Sequence, residues 1–209
     1  MSTTDFHNEI PRPQVRAYSG RAVDPRRLGV AAQVLVGAQS ALQIVLGLTG
    51  GSRSDTFRAL APVSYPLWIA TIVVFLCWFR RCRLNAEVFA PGTQKFSYGF
   101  AVGAWFIPLA MWWIPRRIAL DTWRASGPAG GSWVVEAWWA AWLAKTLGGV
   151  ILVCFVEDRP TPYSPYDQVM AVLLGVLAVL MIRQLTARQH AKATGTLAAA
   201  PFGGRPTSA

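Results

Sequence analysis

The chain has 209 residues, of which 53% are hydrophobic and only 14% charged, and with ten tryptophans it is too apolar and too charge-poor for an ordinary soluble domain. Its net charge of +10 comes without a groove-reading motif, which argues against nucleic acid and places the arginines and lysines beside membrane segments, where they set orientation and meet anionic lipid headgroups. Three cysteines, Cys77, Cys82 and Cys154, and two histidines, His7 and His190, fall at no metal-ligand spacing, so neither a metal nor a cofactor is expected.

Residues 1–27 carry five arginines among Pro, Gly, Ser and Asp without apolar periodicity and read as a basic, disordered cytoplasmic tail. Leu28 to Leu48 is uncharged and long enough to span a bilayer as an uncleaved anchor. Within it Gln39 and Gln43 stand one helical turn apart, and Gly37 and Ala41 share small-xxx-small spacing, so this helix is expected to pack against protein; the alternative places the glutamines beside a polar cavity. Residues 49–64 read as a loop with at most a short surface helix.

The second span runs from Tyr65 to Phe79, with Pro66 acceptable in its first turn, and extends as helix to Val88. Arg80, Arg81 and Arg83 fall at the interface as candidate headgroup contacts, and Arg83 and Glu87 are spaced i,i+4 for a pair on an exposed extension. Residues 90–97 end the helix.

The stretch from 98 to 126 is apolar enough for a membrane yet broken by Pro108 and Pro115. From Pro115 onward, Arg116, Arg117, Trp123 and Arg124 suggest an amphipathic interfacial helix with tryptophan at headgroup level and arginine toward phosphate.

Trp133 to Val156 is ample for another span, and Lys145 lies halfway along it on a stripe with Trp138 and Trp142. An ionised lysine there needs a partner, and Glu136 is too far along the same helix; Gln39 and Gln43 are at membrane depth, while Asn85, Glu87 or Asp121 could serve only if the helix extensions fold back into the bundle. Lys145 is therefore read as a buried polar contact, with a snorkelling lysine or a ligand or proton site as alternatives. The acidic loop with Glu157, Asp158 and Asp167 reads as an exterior loop rather than a calcium site. A last span runs from Tyr166 to Ile182, the membrane helical bundle ends at 193, and residues 194–209 are expected to be disordered.

Two topologies follow. Five crossings with the N-terminus inside would put ten basic residues inside and nine outside, which is no asymmetry. Four crossings, with 98–114 re-entrant or interfacial, put sixteen inside and three outside, a strong positive-inside pattern. The fold class expected is therefore an all-α integral membrane protein with four transmembrane helices plus a proline-broken segment, both termini in the cytoplasm of a bacterial cell; five helices is the alternative.

The segments WFRRCRLNAEVF (78–89) and WFIPLAMWWIPRRIALDTWRAS (105–126), followed by a Trp-rich span and IRQLTARQ (182–189), resemble the actinobacterial multi-pass membrane family known as domain of unknown function 4328. The asparagine usual before the second proline block is absent, with Ala110 and Met111 near that place. The resemblance implies a membrane architecture and no established reaction.

No nucleophile elbow, P-loop, HExxH, haem-binding CxxCH or dinucleotide fingerprint is present, so no enzyme is expected. The reading is a scaffold, regulatory or accessory subunit whose basic cytoplasmic face contacts anionic lipid or a protein partner, with another membrane protein or a second copy as possible company in the bilayer. The alternative is a small transporter or channel component with a midplane site at Lys145 near the Pro108 break.

Overall fold

The computed structural model describes residues 20–49, 53–127, 131–155 and 165–198. These form six α-helices: α1 (Arg26–Leu48), α2 (Asp55–Phe89), α3 (Phe100–Gly103), α4 (Ile114–Ala125), α5 (Trp133–Phe155) and α6 (Pro165–Ala198), with one 3-10 turn at Ala110–Trp112. The described residues contain no strand. By length and composition α1, α2 and α6 suffice to cross a membrane.

The longest departure from expectation is α2. Residues 55–64, read as part of a loop with at most a short surface helix, belong to a long helix that runs 35 residues with Pro62 and Pro66 inside it. Each proline removes one backbone donor from the ladder, and between the two Ser64 Oγ donates to the Ala61 carbonyl (2.8 Å). Asp55 in the first turn favours the positive helix end.

Helix α1 packs on α6 and α2, and α5 packs on α6. The α1–α6 seam interlocks small residues: Gly29 faces Thr186, Gly47 faces Gln168, and Gly175 faces Ser40. A Cβ on Gly29 would lie 2.7 Å from Thr186 Oγ1, so these glycines let the helices approach closely. The packing pair expected on α1 was Gly37 and Ala41. Both instead face outward, Gly37 with open space around it, because the α6 seam occupies a different side of the helix. Thr71 Oγ1 on α2 donates to Leu67 O (2.7 Å) and reaches Leu35 O on α1 (3.4 Å).

Large apolar side chains stay exposed along the outer faces: Val30 and Val34 on α1, Trp68, Ile69 and Val73 on α2, Val169, Val172 and Val176 on α6. Burial concentrates instead at one end, where Trp78, Phe79, Cys82, Ile118, Trp123, Met181, Ile182 and Leu185 form a core shared by α2, α4 and α6. Residues 98–113 make no helix of spanning length, only the four residues of α3, turns and the 3-10 turn. Two boundaries also move: α6 continues past Thr194 to Ala198, and residues 22–25, assigned to the tail, dock against α2 and α6. Residues 1–19 and 199–209 lie outside the described residues.

Candidate functional site

The core end of the bundle carries a polar network centred on Gln189, which is fully buried. Gln189 Nε2 donates to the Cys82 carbonyl (2.8 Å) and to Ser126 Oγ (3.0 Å), while its Oε1 accepts from Asn85 Nδ2 (3.0 Å). Asn85 in turn holds both backbone groups of Val23, donating to its carbonyl (2.8 Å) and accepting from its N–H (3.0 Å). Ser126 Oγ donates to Thr122 O (2.6 Å), and Trp78 Nε1 donates to Thr186 Oγ1 (3.0 Å). The chain before α1, helices α2 and α6, and the end of α4 are thus tied by side chains that satisfy one another, as buried polar groups must.

Two residues before Asn85, Arg83 Nη1 donates to Glu87 Oε2 (2.9 Å) and Nη2 to the Phe96 carbonyl, with both side chains at least nine-tenths buried. Glu87 Oε1 accepts from the N–H of Gly92 (3.1 Å), a left-handed residue (φ 72°) that turns the chain off α2. Arg83 therefore does not contact lipid headgroups: the following turn folds back over it and takes its donors.

Helix α4 also departs from expectation. Its apolar face, Ile118, Ala119, Leu120 and Trp123, is buried against the bundle rather than laid on a membrane. Trp123 is 1% exposed, and the Arg188 guanidinium sits 4.1 Å from its ring centre, so it is no headgroup anchor. Arg116 makes a bidentate pair with Glu136 on α5 (2.6 and 2.8 Å). Arg117 and Arg124 are exposed, the latter paired with Asp121 at 3.1 Å. On α2, Arg80 is exposed over the Tyr98 ring (5.9 Å) and Arg81 is half-buried.

Lys145 lies midway along α5, level with the first turn of α6. Its Nζ donates to Asp167 Oδ1 (3.4 Å) in the first turn of α6, one residue from Gln168, which packs on Gly47. The lysine thus stands at the end of the bundle where α1 closes and α6 opens. Tyr166 Oη donates to the Ala144 carbonyl beside it and lies against Gly148. Gln39 and Gln43 do not serve Lys145: Gln39 Oε1 is buried without a partner among the described residues, and Gln43 is half-buried. Glu157 and Asp158 lie outside the described residues.

Trp138 and Trp142 face rings rather than the lysine. Trp105, from the broken segment, lies with its ring centre 5.7 Å from Trp142, 6.2 Å from Trp138 and 6.0 Å from Phe75, while Trp139 stacks on Trp142 at 4.7 Å. This aromatic clamp docks the segment between α2 and α5. Pro108 sits exposed beyond it.

A family model described as "Domain of unknown function (DUF4328)" matches residues 51–188. The chain belongs to that family. No curated protein and no solved structure matches it. In this DUF4328 chain the motif residues that carried the resemblance, Trp78, Arg83, Asn85, Glu87, Trp105 and Ser126, are those that build the polar network, the turn staple and the aromatic clamp. Sequence reading missed Gln189 and Thr186, which looked like an ordinary helix extension. The available signal was the paired polar residues Asn85 and Gln189 on two helices that each outrun their apolar run.

Proposed function

We propose that this DUF4328 chain is a non-enzymatic, multi-pass protein of the bacterial cell membrane, in which α1, α2, α5 and α6 cross and residues 98–113 do not. It acts as a scaffold or accessory subunit, with both termini and a basic face in the cytoplasm meeting anionic lipid or a protein partner. The sixteen-to-three distribution of basic residues supports the orientation, and the broken backbone at 98–113 supports the crossing number.

The observation that carries the non-enzymatic reading is the mutual satisfaction of the polar groups in the Gln189 network and the Arg83–Glu87 staple. Asn85, Gln189, Ser126, Arg83 and Glu87 spend their hydrogen bonds on each other and on backbone, which suits a rigid joint rather than a poised acid, base or nucleophile. Purification of the full chain from native membranes, followed by identification of retained protein and lipid, tests this: a stoichiometric partner or enriched anionic lipid is expected. Solute flux in proteoliposomes that Lys145→Met abolishes would overturn it in favour of a carrier.

A further inference from the structure

Residues 98–113 are held to the bundle by Trp105, yet their turn presents Phe106 (71% exposed), Ile107 and Leu109 (72%) away from it. Each leg of this turn carries an exposed aromatic beside an exposed arginine. On the way in, Tyr98 lies under Arg80; on the way out, Trp113 stands one turn before Arg117, whose N–H bonds to the Trp113 carbonyl (3.2 Å). Amphipathic rings beside arginines mark headgroup depth, and an apolar tip between two such pairs marks what lies below it.

The backbone closes the two legs of the turn. The N–H groups of Trp105, Phe106, Met111, Trp112 and Trp113 bond to carbonyls within the turn, at 2.9 to 3.3 Å, and Pro108 has no donor to satisfy, while no backbone carbonyl among the described residues takes the N–H groups of Ile107, Leu109 and Ala110 at the tip. Those open donors suit the interfacial depth of a leaflet, where water and lipid carbonyls reach them, rather than the middle of the hydrocarbon layer.

We infer that the 98–113 turn inserts its Phe106–Leu109 tip into the bilayer leaflet on the basic side and holds the phosphates of anionic phospholipids at two sites, Arg80 with Tyr98 and Arg117 with Trp113. The inference rests on the membrane reading above and names the lipid contact within it. A leaflet fits better than a protein partner because the exposed tip is a narrow, uncharged turn and both flanking exposed charges are positive. It also transfers the membrane-contacting role from α4, whose apolar face is occupied, to the segment before it.

The test uses the full chain with Cys77 and Cys154 replaced by Ala, Leu109→Cys carrying an environment-sensitive fluorophore, and nanodiscs of phosphatidylcholine with and without phosphatidylglycerol. Acyl-chain-brominated lipid is expected to quench the label at 109 but not one at Lys95→Cys. Arg80→Gln and Arg117→Gln are each expected to lower phosphatidylglycerol enrichment around the protein roughly fivefold, while Arg124→Gln leaves it unchanged. A label at 109 that stays open to aqueous quencher, or one shielded only by a co-purified protein, overturns the insertion. Unchanged enrichment in both arginine variants overturns the phosphate sites. A chain that fails to enter the discs at all contradicts the membrane reading instead, which is a separate outcome.

Discussion

Two ion pairs at opposite ends of the bundle show how burial decides what a charge is worth. Arg83 and Glu87 are 2% and 7% exposed, and each also serves a backbone group of the turn that follows α2. Removing one partner strands the other charge, so Arg83→Met or Glu87→Gln alone should lower unfolding free energy by about 3–5 kcal/mol, read by chemical denaturation in micelles. Lys145 and Asp167 are 32% and 27% exposed and 3.4 Å apart, and Lys145→Met should cost no more than about 1 kcal/mol. A larger loss at Lys145 would show that the pair is a dry internal contact after all. The i,i+4 spacing made the first pair legible in the sequence, but not its burial, which depends on Phe96 folding back over the helix. The second pair was illegible because its members are 22 residues apart and meet only through the antiparallel register of α5 and α6.

At the level of elements, helix seams and the docked turn rely on different forces. The α1–α6 seam depends on glycine opposite a larger neighbour, so Gly175→Ala should push Ser40 aside and destabilise by about 1–3 kcal/mol. Ser40→Gly in the same chain should restore most of that loss, and a double-mutant cycle without coupling would contradict the seam. The broken segment instead depends on rings: Trp105→Ala should cost about 3–5 kcal/mol and raise hydrogen exchange across 98–113 while the α1–α6 seam keeps its protection. Hydropathy revealed the apolar runs of α1 and α6 because each is long and apolar enough to cross a membrane. It hid the first ten residues of α2, where Asp55, Arg58 and Pro62 interrupt the apolar pattern, and misplaced Trp123, since an amphipathic helix packed on protein has the same pattern as one packed on a membrane.

Across the whole molecule, the exposed apolar faces of α1, α2 and α6 and the buried polar end divide the bundle into two zones. The polar end gathers Arg80, Arg81, Arg117, Arg124 and Arg183 around a network that consumes its own hydrogen bonds, so charge is left for what lies outside. A sequence count reaches the same polarity without coordinates, because basic residues accumulate wherever the chain stays on one side. The central claim is that residues 98–113 enter the membrane and return, leaving the α4–α5 connection on the side of the termini. It is tested most directly by Ser132→Cys in a chain with Cys77 and Cys154 replaced by Ala, labelled in intact cells with a membrane-impermeant maleimide. The account predicts labelling only after the cells are opened; labelling of Ser132→Cys from outside intact cells would contradict it.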